Sequence, residues 1–223
     1  MIMNIKTQNL LDLQKTIAKN LFKDVVYPWE VLPKIKEFII ALGLSLDKEH
    51  FKKIDENIWV SKSATIFDSA SLTGPLIIDD EATIRHCAFI RGSAIVGKGA
   101  VVGNSCEVKN SILFDCAQIP HFNYCGDSIL GFKSHIGAGG ITSNLKSDKS
   151  LVVIKDGQSN KIETNLRKFG AILGDRVEVG CNSVLNPGSI VGRDTNIYPT
   201  SNVRGFIPAN SIYKSQNNII KKV

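Results

Sequence analysis

The sequence predicts an all-β fold, a left-handed parallel β-helix of hexapeptide repeats, preceded by a small α-helical region. Three observations carry that expectation. From Val60 an aliphatic residue returns every six positions, as Val60, Ile66, Leu72, Ile78, Ile84, Ile90, Val96, Val102 and Val108, with Phe114 read as the next. Four residues after most of these beats the chain is small: Ala64, Ala70, Ala82, Ala88, Ala94, Ala100 and Cys106. After an interruption the same beat resumes at Leu173, Val179, Leu185, Val191, Ile197 and Val203. A helix repeats every 3.6 residues and a strand every 2.0, so a strict six fits neither alone. It fits a prism in which each hexad is a short strand and a turn, one aliphatic side chain pointing inward. The left-handed winding is the known exception to right-handed crossovers.

The elements follow in order. Residues 1–57 form the helical region. "TQNLLDLQKTIAKNLF" places Leu10, Leu11, Ile17 and Leu21 on one stripe, with Thr7 as its cap. "YPWEVLPKIKEFIIALG" reads as a second helix, Pro28 in its first turn and Gly43 as its stop. "DKEHFKKI" reads as a third, short one. These helices are expected to cap the first coil, whose open edge would otherwise invite strand pairing. Residues 58–210 are the β-helix, with a long inserted loop at 143–172 that abandons the beat. Such an excursion is usually functional or a lid, and in a trimer it can reach the neighbouring prism. Residues 211–223 read as a basic C-terminal tail.

Composition narrows the function. Apolar residues make up 43% and charged residues 22% of the chain, ordinary values for a globular protein. No apolar run approaches the roughly 20 residues of a membrane span. "MIMNIKTQNLLDLQ" lacks the basic-then-apolar order of a secretory signal, so a cytoplasmic protein is expected. The five cysteines include no C-x-x-C pair, which argues for packed free thiols rather than disulfides or a cysteine zinc site. The net charge of +6 is scattered, unlike the basic patches of nucleic-acid binders. It suits attraction of phosphorylated small molecules.

Three hexads make one coil, so residues 18 apart are expected to stack at strand spacing, about 4.8 Å. Arg91 and Lys109 stack on that count. Through "IPHFNYCGDSILGFKSHIGAG" the beats are read as Phe114, Ile119, Cys125, Leu130 and Ile136, two intervals being one residue short. On this register Arg91, Lys109, Tyr124 and Asn144 form one polar column, with His121 at its edge, aimed outward by the shortened hexads.

The run "NSCEVKNSILFDCAQIPHFNYCGDSILGFKSHIGAGGITSN", residues 104–144, resembles the left-handed β-helix acetyltransferase domains of the bifunctional enzymes that make UDP-N-acetylglucosamine. It is closer still to archaeal sugar-1-phosphate nucleotidylyltransferases with acetyltransferase tails. The resemblance covers roughly residues 58–215. It implies an acetyl-CoA-dependent N-acetyltransferase acting, as a homotrimer, on an amino-sugar phosphate such as glucosamine-1-phosphate. It assigns His121 as catalytic. It assigns Arg91 and Lys109 to the sugar phosphate, and Tyr124 and Asn144 to the amino sugar. Ala138 falls in the strip that meets acetyl-CoA, joined there by Gly139, Cys181 and Lys149. His135 stands where the bacterial enzymes carry a substrate-binding asparagine, and Cys181 where they carry a serine; both departures bear on the acceptor and on activity. The nucleotidylyltransferase domain is missing: residues 1–57 hold no glycine-rich, lysine-bearing loop, so no nucleotidyl transfer is expected from this chain.

The residues suit that chemistry. Acetyl transfer to an amine needs a base, and imidazole, which titrates near 6.5 when unperturbed, matches the task. Backbone N–H groups of "HIGAGG" suit the thioester oxygen. Cys125 falls on a core beat and is not expected to act as a nucleophile. Two other readings stay open. One is a metal enzyme like the γ-class carbonic anhydrases, using His86, His121 and His135. The other is a non-catalytic trimeric scaffold.

Overall fold

The computed structural model describes residues 5–155 and 161–222. The fold is the left-handed parallel β-helix that the beat predicts: three sheets of short strands, each pairing with strands one coil before and after it. Three inward columns fill the prism. The first face contributes Val60, Ile78, Val96, Leu113, Leu130, Leu173, Val191 and Ile207. The second contributes Ile66, Ile84, Val102, Ile119, Ile136, Val179, Ile197 and Tyr213. The third contributes Leu72, Ile90, Val108, Cys125, Thr142, Leu185 and Val203.

Leu113, and not Phe114, is therefore the beat after Val108. Phe114 faces outward and is buried from the other side, edge-on to Phe22 with ring centroids 5.7 Å apart. Two adjacent apolar residues invite the wrong choice, and the pairing of Leu113 with Val96 and Leu130 settles it. The shortened hexads consequently run from Val108 to Leu113 and from Cys125 to Leu130. They shorten the corner between the third and first faces, where Asn110 and Asp127 hold left-handed φ values of 47° and 47°. The hexad carrying His121 is full length.

The first face is apolar on both sides, as a sheet covered on both sides must be. Its outward column, Ile77, Ile95, Ile112, Ile129, Ile172 and Ile190, is completely buried beneath Phe22, Trp29, Val31, Ile35 and Ile39. The N-terminal region thus covers a side wall of the prism. The open edge of the first coil is closed instead by strand Phe51–Asp55, antiparallel to Ile58–Ser61. That strand replaces the helix expected from "DKEHFKKI": Phe51 is buried against the sheet while the four residues after it are exposed. Helical structure is also less continuous than expected, with Thr7–Leu10, 3-10 helices at Lys19–Phe22 and Pro28–Lys34, and one longer α-helix, Ile35–Ser45. Thr7 caps nothing; it is buried and its hydroxyl donates to the Val26 carbonyl at 3.1 Å. Gly43 does not stop the helix but lies inside it, where a Cβ would stand 2.4 Å from the Trp59 ring.

The inserted segment folds back on its own prism. Val153–Lys155 pairs antiparallel with Lys161–Glu163, residues 156–160 lying outside the described residues. Val152, Ile154 and Phe169 are buried with the outward column of the first face. The expected basic tail is a hairpin, Ser211–Ser215 with Asn218–Lys221, that extends the second sheet. Tyr213 is buried in the prism, its hydroxyl donating to the Asn202 carbonyl at 2.8 Å. No helix among the described residues is long and apolar enough to cross a membrane.

Candidate active site

On each strand of the third face the residues before and after the beat point outward, giving two parallel outward columns. Glu107 pairs with Phe89 and Tyr124, and Tyr124 with Ile141, in the column before the beat. Thr73 pairs with Arg91, and Lys109 with Gly126, in the column after it. The single column expected of Arg91, Lys109, Tyr124 and Asn144 is thus two. Gly126, with no side chain, occupies the place in register with Lys109. A Cβ there would lie 2.5 Å from the Tyr124 hydroxyl and 2.9 Å from Asn144 Nδ2. The missing Cβ is what lets Tyr124 and Asn144 lean across into the neighbouring column.

These residues form one polar network. Arg91 Nε donates to Glu107 Oε1 at 2.5 Å. That bond, with the neighbouring Tyr124, raises the guanidinium further above its ordinary range. Asn144 Nδ2 donates to the Tyr124 hydroxyl at 3.1 Å and also to Asp127 Oδ2. Lys109 Nζ donates to Asp127 Oδ2 at 3.1 Å, and Asn110 Nδ2 to Asp127 Oδ1 at 2.9 Å. Asp127 is only 3% exposed, so this pair is far better shielded than a surface ion pair. Burial, then the charges of Asp127 and Glu107, push the Tyr124 phenol up.

His121 lies beyond the opposite rim of the same face, two positions past Ile119 at the corner between the second and third faces. There the chain stacks a different column. Phe122 N–H donates to the Asn104 carbonyl at 2.9 Å, Gly139 N–H to the His121 carbonyl at 3.0 Å, and Asn182 N–H to the Ala138 carbonyl at 2.8 Å. Asn104, His121, Ala138 and Cys181 therefore follow one another up a single edge. Asn123, 3% exposed, pins that edge: its Oδ1 accepts the His121 N–H at 3.1 Å and its Nδ2 donates to the Gly137 carbonyl at 2.8 Å. Gly139 has φ +71°, and a Cβ on it would meet Asn182 Oδ1 at 2.3 Å, so a side chain there would displace Asn182. Of the turn's donors, Gly139 N–H and Gly140 N–H are already engaged. The Ala138 N–H makes no hydrogen bond among the described residues.

The structure thus joins Arg91, Lys109, Tyr124 and Asn144, and separately aligns His121, Ala138, Gly139 and Cys181 along the adjoining corner. The His121 imidazole makes no hydrogen bond or ion pair with the network. His135 is on the second face, its Nδ1 3.0 Å from Glu178 Oε2, in a cleft of about 470 Å³ with Cys116, Gln118 and Lys133. Lys149 sits in an exposed turn of the inserted segment, its N–H donating to the Lys146 carbonyl at 2.9 Å. Cys125 is wholly buried, and burial pushes its thiol up to about 12. His86 shares the corner of His121 two coils earlier, roughly 10 Å away at strand spacing, while His135 faces Glu178. Among the described residues no three or more His, Cys, Asp or Glu side chains are grouped to hold a metal ion. Sequence reasoning missed Glu107, Asp127 and Asn123. A signal for the first two existed: each is a carboxylate about one coil away from a cation of the column.

The family of GMPPB C-terminal domains matches residues 72–220. The bifunctional protein GlmU of Methanococcus vannielii is 34% identical over 204 residues, 90% of this chain and 49% of that protein. The bifunctional sugar-1-phosphate nucleotidylyltransferase/acetyltransferase of Sulfurisphaera tokodaii is 27% identical over 179 residues, 72% of this chain and 44% of that protein. Among solved structures, a mutant of perosamine N-acetyltransferase from Caulobacter crescentus, in complex with CoA and GDP-perosamine, is 15% identical, covers 74% of this chain and 57% of its own, and gives a TM-score of 0.35. The chain spans about half the length of the curated relatives it matches.

Proposed function

The chain belongs to the family of GMPPB C-terminal domains, and from that premise we propose that it transfers the acetyl group of acetyl-CoA to the amine of an amino-sugar phosphate such as glucosamine-1-phosphate. The observation that carries the reading is the adjacency of two built features: the polar network of the third face and the His121–Ala138–Cys181 edge beside it. The names of the relatives, which include an acetyltransferase acting beside a sugar-1-phosphate nucleotidylyltransferase, support the acetyl-transfer half; nucleotidyl transfer is not assigned to these residues.

Arg91 and Lys109 hold the phosphate, Arg through its planar fork and Lys as a point charge. Tyr124 and Asn144 hold the sugar. The sugar ammonium gives its first proton to solvent, and His121 takes the second, which the nitrogen sheds as it becomes an amide. The freed amine attacks the thioester carbonyl carbon, forming the C–N bond as the C–S bond breaks. The CoA thiolate leaves and is reprotonated from the histidine. The Ala138 N–H, unspent among the described residues, is the donor for the carbonyl oxygen as it gains charge, and the small Ala138 and Cys181 leave room for acetyl-CoA along the edge. A homotrimer in which a neighbouring prism walls the cleft completes the proposal.

The test is thiol release from acetyl-CoA against a panel of amino-sugar phosphates. His121→Ala is expected to lose at least about tenfold, the lower part of what general base catalysis contributes; equal rates remove the histidine from the mechanism. One observation favours the rival reading of a non-catalytic scaffold: among the described residues no hydrogen bond or ion pair orients the His121 imidazole, whose ring lies 6.4 Å from that of Phe122. Isothermal titration separates the two, since a scaffold binds neither acetyl-CoA nor the acceptor.

A further inference from the structure

The shortened beats fall at Asn110 and Asp127, not at His121, and this relocates the most constrained point of the site. At the full-length corner between Ile90 and Val96 two residues are left-handed, Gly92 and Ser93, at φ 84° and 53°. One coil later a single residue, Asn110, turns the chain, and one coil after that Asp127 does so alone. The tighter turn draws the Asp127 carboxylate back over the third face, where it is 3% exposed. Its two oxygens receive Lys109 Nζ at 3.3 and 3.1 Å, Asn110 Nδ2 at 2.9 Å, and Asn144 Nδ2. Its backbone closes the inserted segment: Gly170 N–H donates to the Asp127 carbonyl at 2.8 Å, and Phe169 N–H to the Asn144 carbonyl at 2.9 Å.

An ionised carboxylate only accepts hydrogen bonds, whereas a side-chain amide can present either end. Asp127 therefore decides which way Asn144 faces. Both Asn144 N–H bonds are used, one on Asp127 and one on the Tyr124 hydroxyl, and Oδ1 takes no bond among the described residues. We propose that Asp127 is a positioning residue that orients Asn144 so that its Oδ1 accepts an N–H of the acceptor amine, and that holds Lys109 beside it. The inference rests on the acetyl-transfer reading. Asp127 touches neither substrate nor acetyl group in this scheme; it acts through Asn144 and Lys109.

The test is an exchange of the two side chains, read by steady-state kinetics and by titration of the acceptor. Asp127→Asn gives position 127 its own N–H groups, so Asn144 is free to turn over. The acceptor KM is expected to rise by at least about tenfold, the value of one hydrogen bond to a charged group, with the acetyl-CoA KM within about twofold. Asn144→Asp leaves two acceptors facing each other and is expected to show the same loss. Combining them restores one donor and one acceptor, with an oxygen again offered to the amine, and is expected to recover the acceptor KM to within about fivefold of wild type. A merely structural role for Asp127 predicts additive losses, and an unrecovered exchange variant overturns the proposal even if Asp127→Asn alone does not fold. An unchanged KM in Asp127→Asn overturns it while leaving acetyl transfer standing. A wild-type protein that neither binds nor acetylates any acceptor overturns both.

Discussion

At the scale of single residues the site depends on what is missing as much as on what is present. Gly126 carries no side chain, and the space is taken by Tyr124 and Asn144. Gly126→Ala is expected to fold, because the atoms it meets are the ends of movable side chains, but to lower kcat/KM for the acceptor by at least about tenfold. Wild-type rates in the thiol-release assay would show that Tyr124 and Asn144 need not lean across the face. The thiols divide by burial. Cys125, pushed up to about 12, holds almost no thiolate near pH 8, and Cys106 is buried and raised as well. Cys87 and Cys181 are exposed. An aromatic disulfide reagent is expected to titrate the exposed pair rapidly and the buried pair only after denaturation. Rapid labelling of Cys125 in the native state would reopen its candidacy as a nucleophile.

Among the elements, the N-terminal region and the first sheet form one hydrophobic unit. Trp29 is 2% exposed and its ring centroid lies 5.7 Å from that of Phe169 in the inserted segment. One side chain thus ties the helices, the insertion and the sheet together. Trp29→Ala is expected to cost about 3–5 kcal/mol, as a large-to-small change in a core, measurable by chemical denaturation. The closing strand is fastened differently. Asp80 accepts bonds from Ser61 and His50 at 2.5 and 2.7 Å, and these, the Ser61 bond first, hold its carboxyl below the ordinary 3.8. A lowered carboxylate contributes stability that is present above 3.8 and is lost as pH falls through its lower folded value. Asp80→Asn is therefore expected to reduce Tm at neutral pH, with the gap to wild type narrowing below about pH 3.8. A gap that widens in acid would refute the assignment.

Over the whole molecule, a solenoid has two ends that must be closed and walls that must be covered. The first end is closed by Phe51–Asp55 and the last by the Ser211–Ser215 hairpin with Tyr213 inside the prism. The wall covered by the N-terminal region would expose a ladder of isoleucines, far beyond a normal surface patch. Removing residues 1–50 is expected to yield insoluble or polymerised protein, judged by analytical sedimentation. A soluble species of unchanged size would mean that this wall is covered by something other than those helices. Truncation after Pro208 is expected to destabilise the last coil without disturbing the third-face network, whose nearest strand, Ile141–Thr142, lies two strands before Asn202–Val203, since neighbouring coils alone share contacts in such an architecture.

The six-residue period by itself determined the prism, most of its inward columns and the meeting of Arg91 with Lys109 on one face, because a repeat that matches the geometry of one coil fixes which residues stack. The period set His121 at the edge of the polar column, and family likeness alone named Ala138 and Cys181; their stacking with His121 along one corner came from the structure. Only the tertiary structure decided between Leu113 and Phe114, since both are apolar and only strand pairing tells inward from outward. Only it showed the outward isoleucine ladder, which a period-six reading passes over because one inward position per hexad satisfies it. It alone separated the polar column into two, and revealed Asp127 as the group that joins Lys109 to Asn144. The physical reason is common to these cases. A repeat specifies the average coil, whereas a one-residue shortening of a corner turns a side chain from solvent onto the face, and that depends on contacts between coils that no local pattern records.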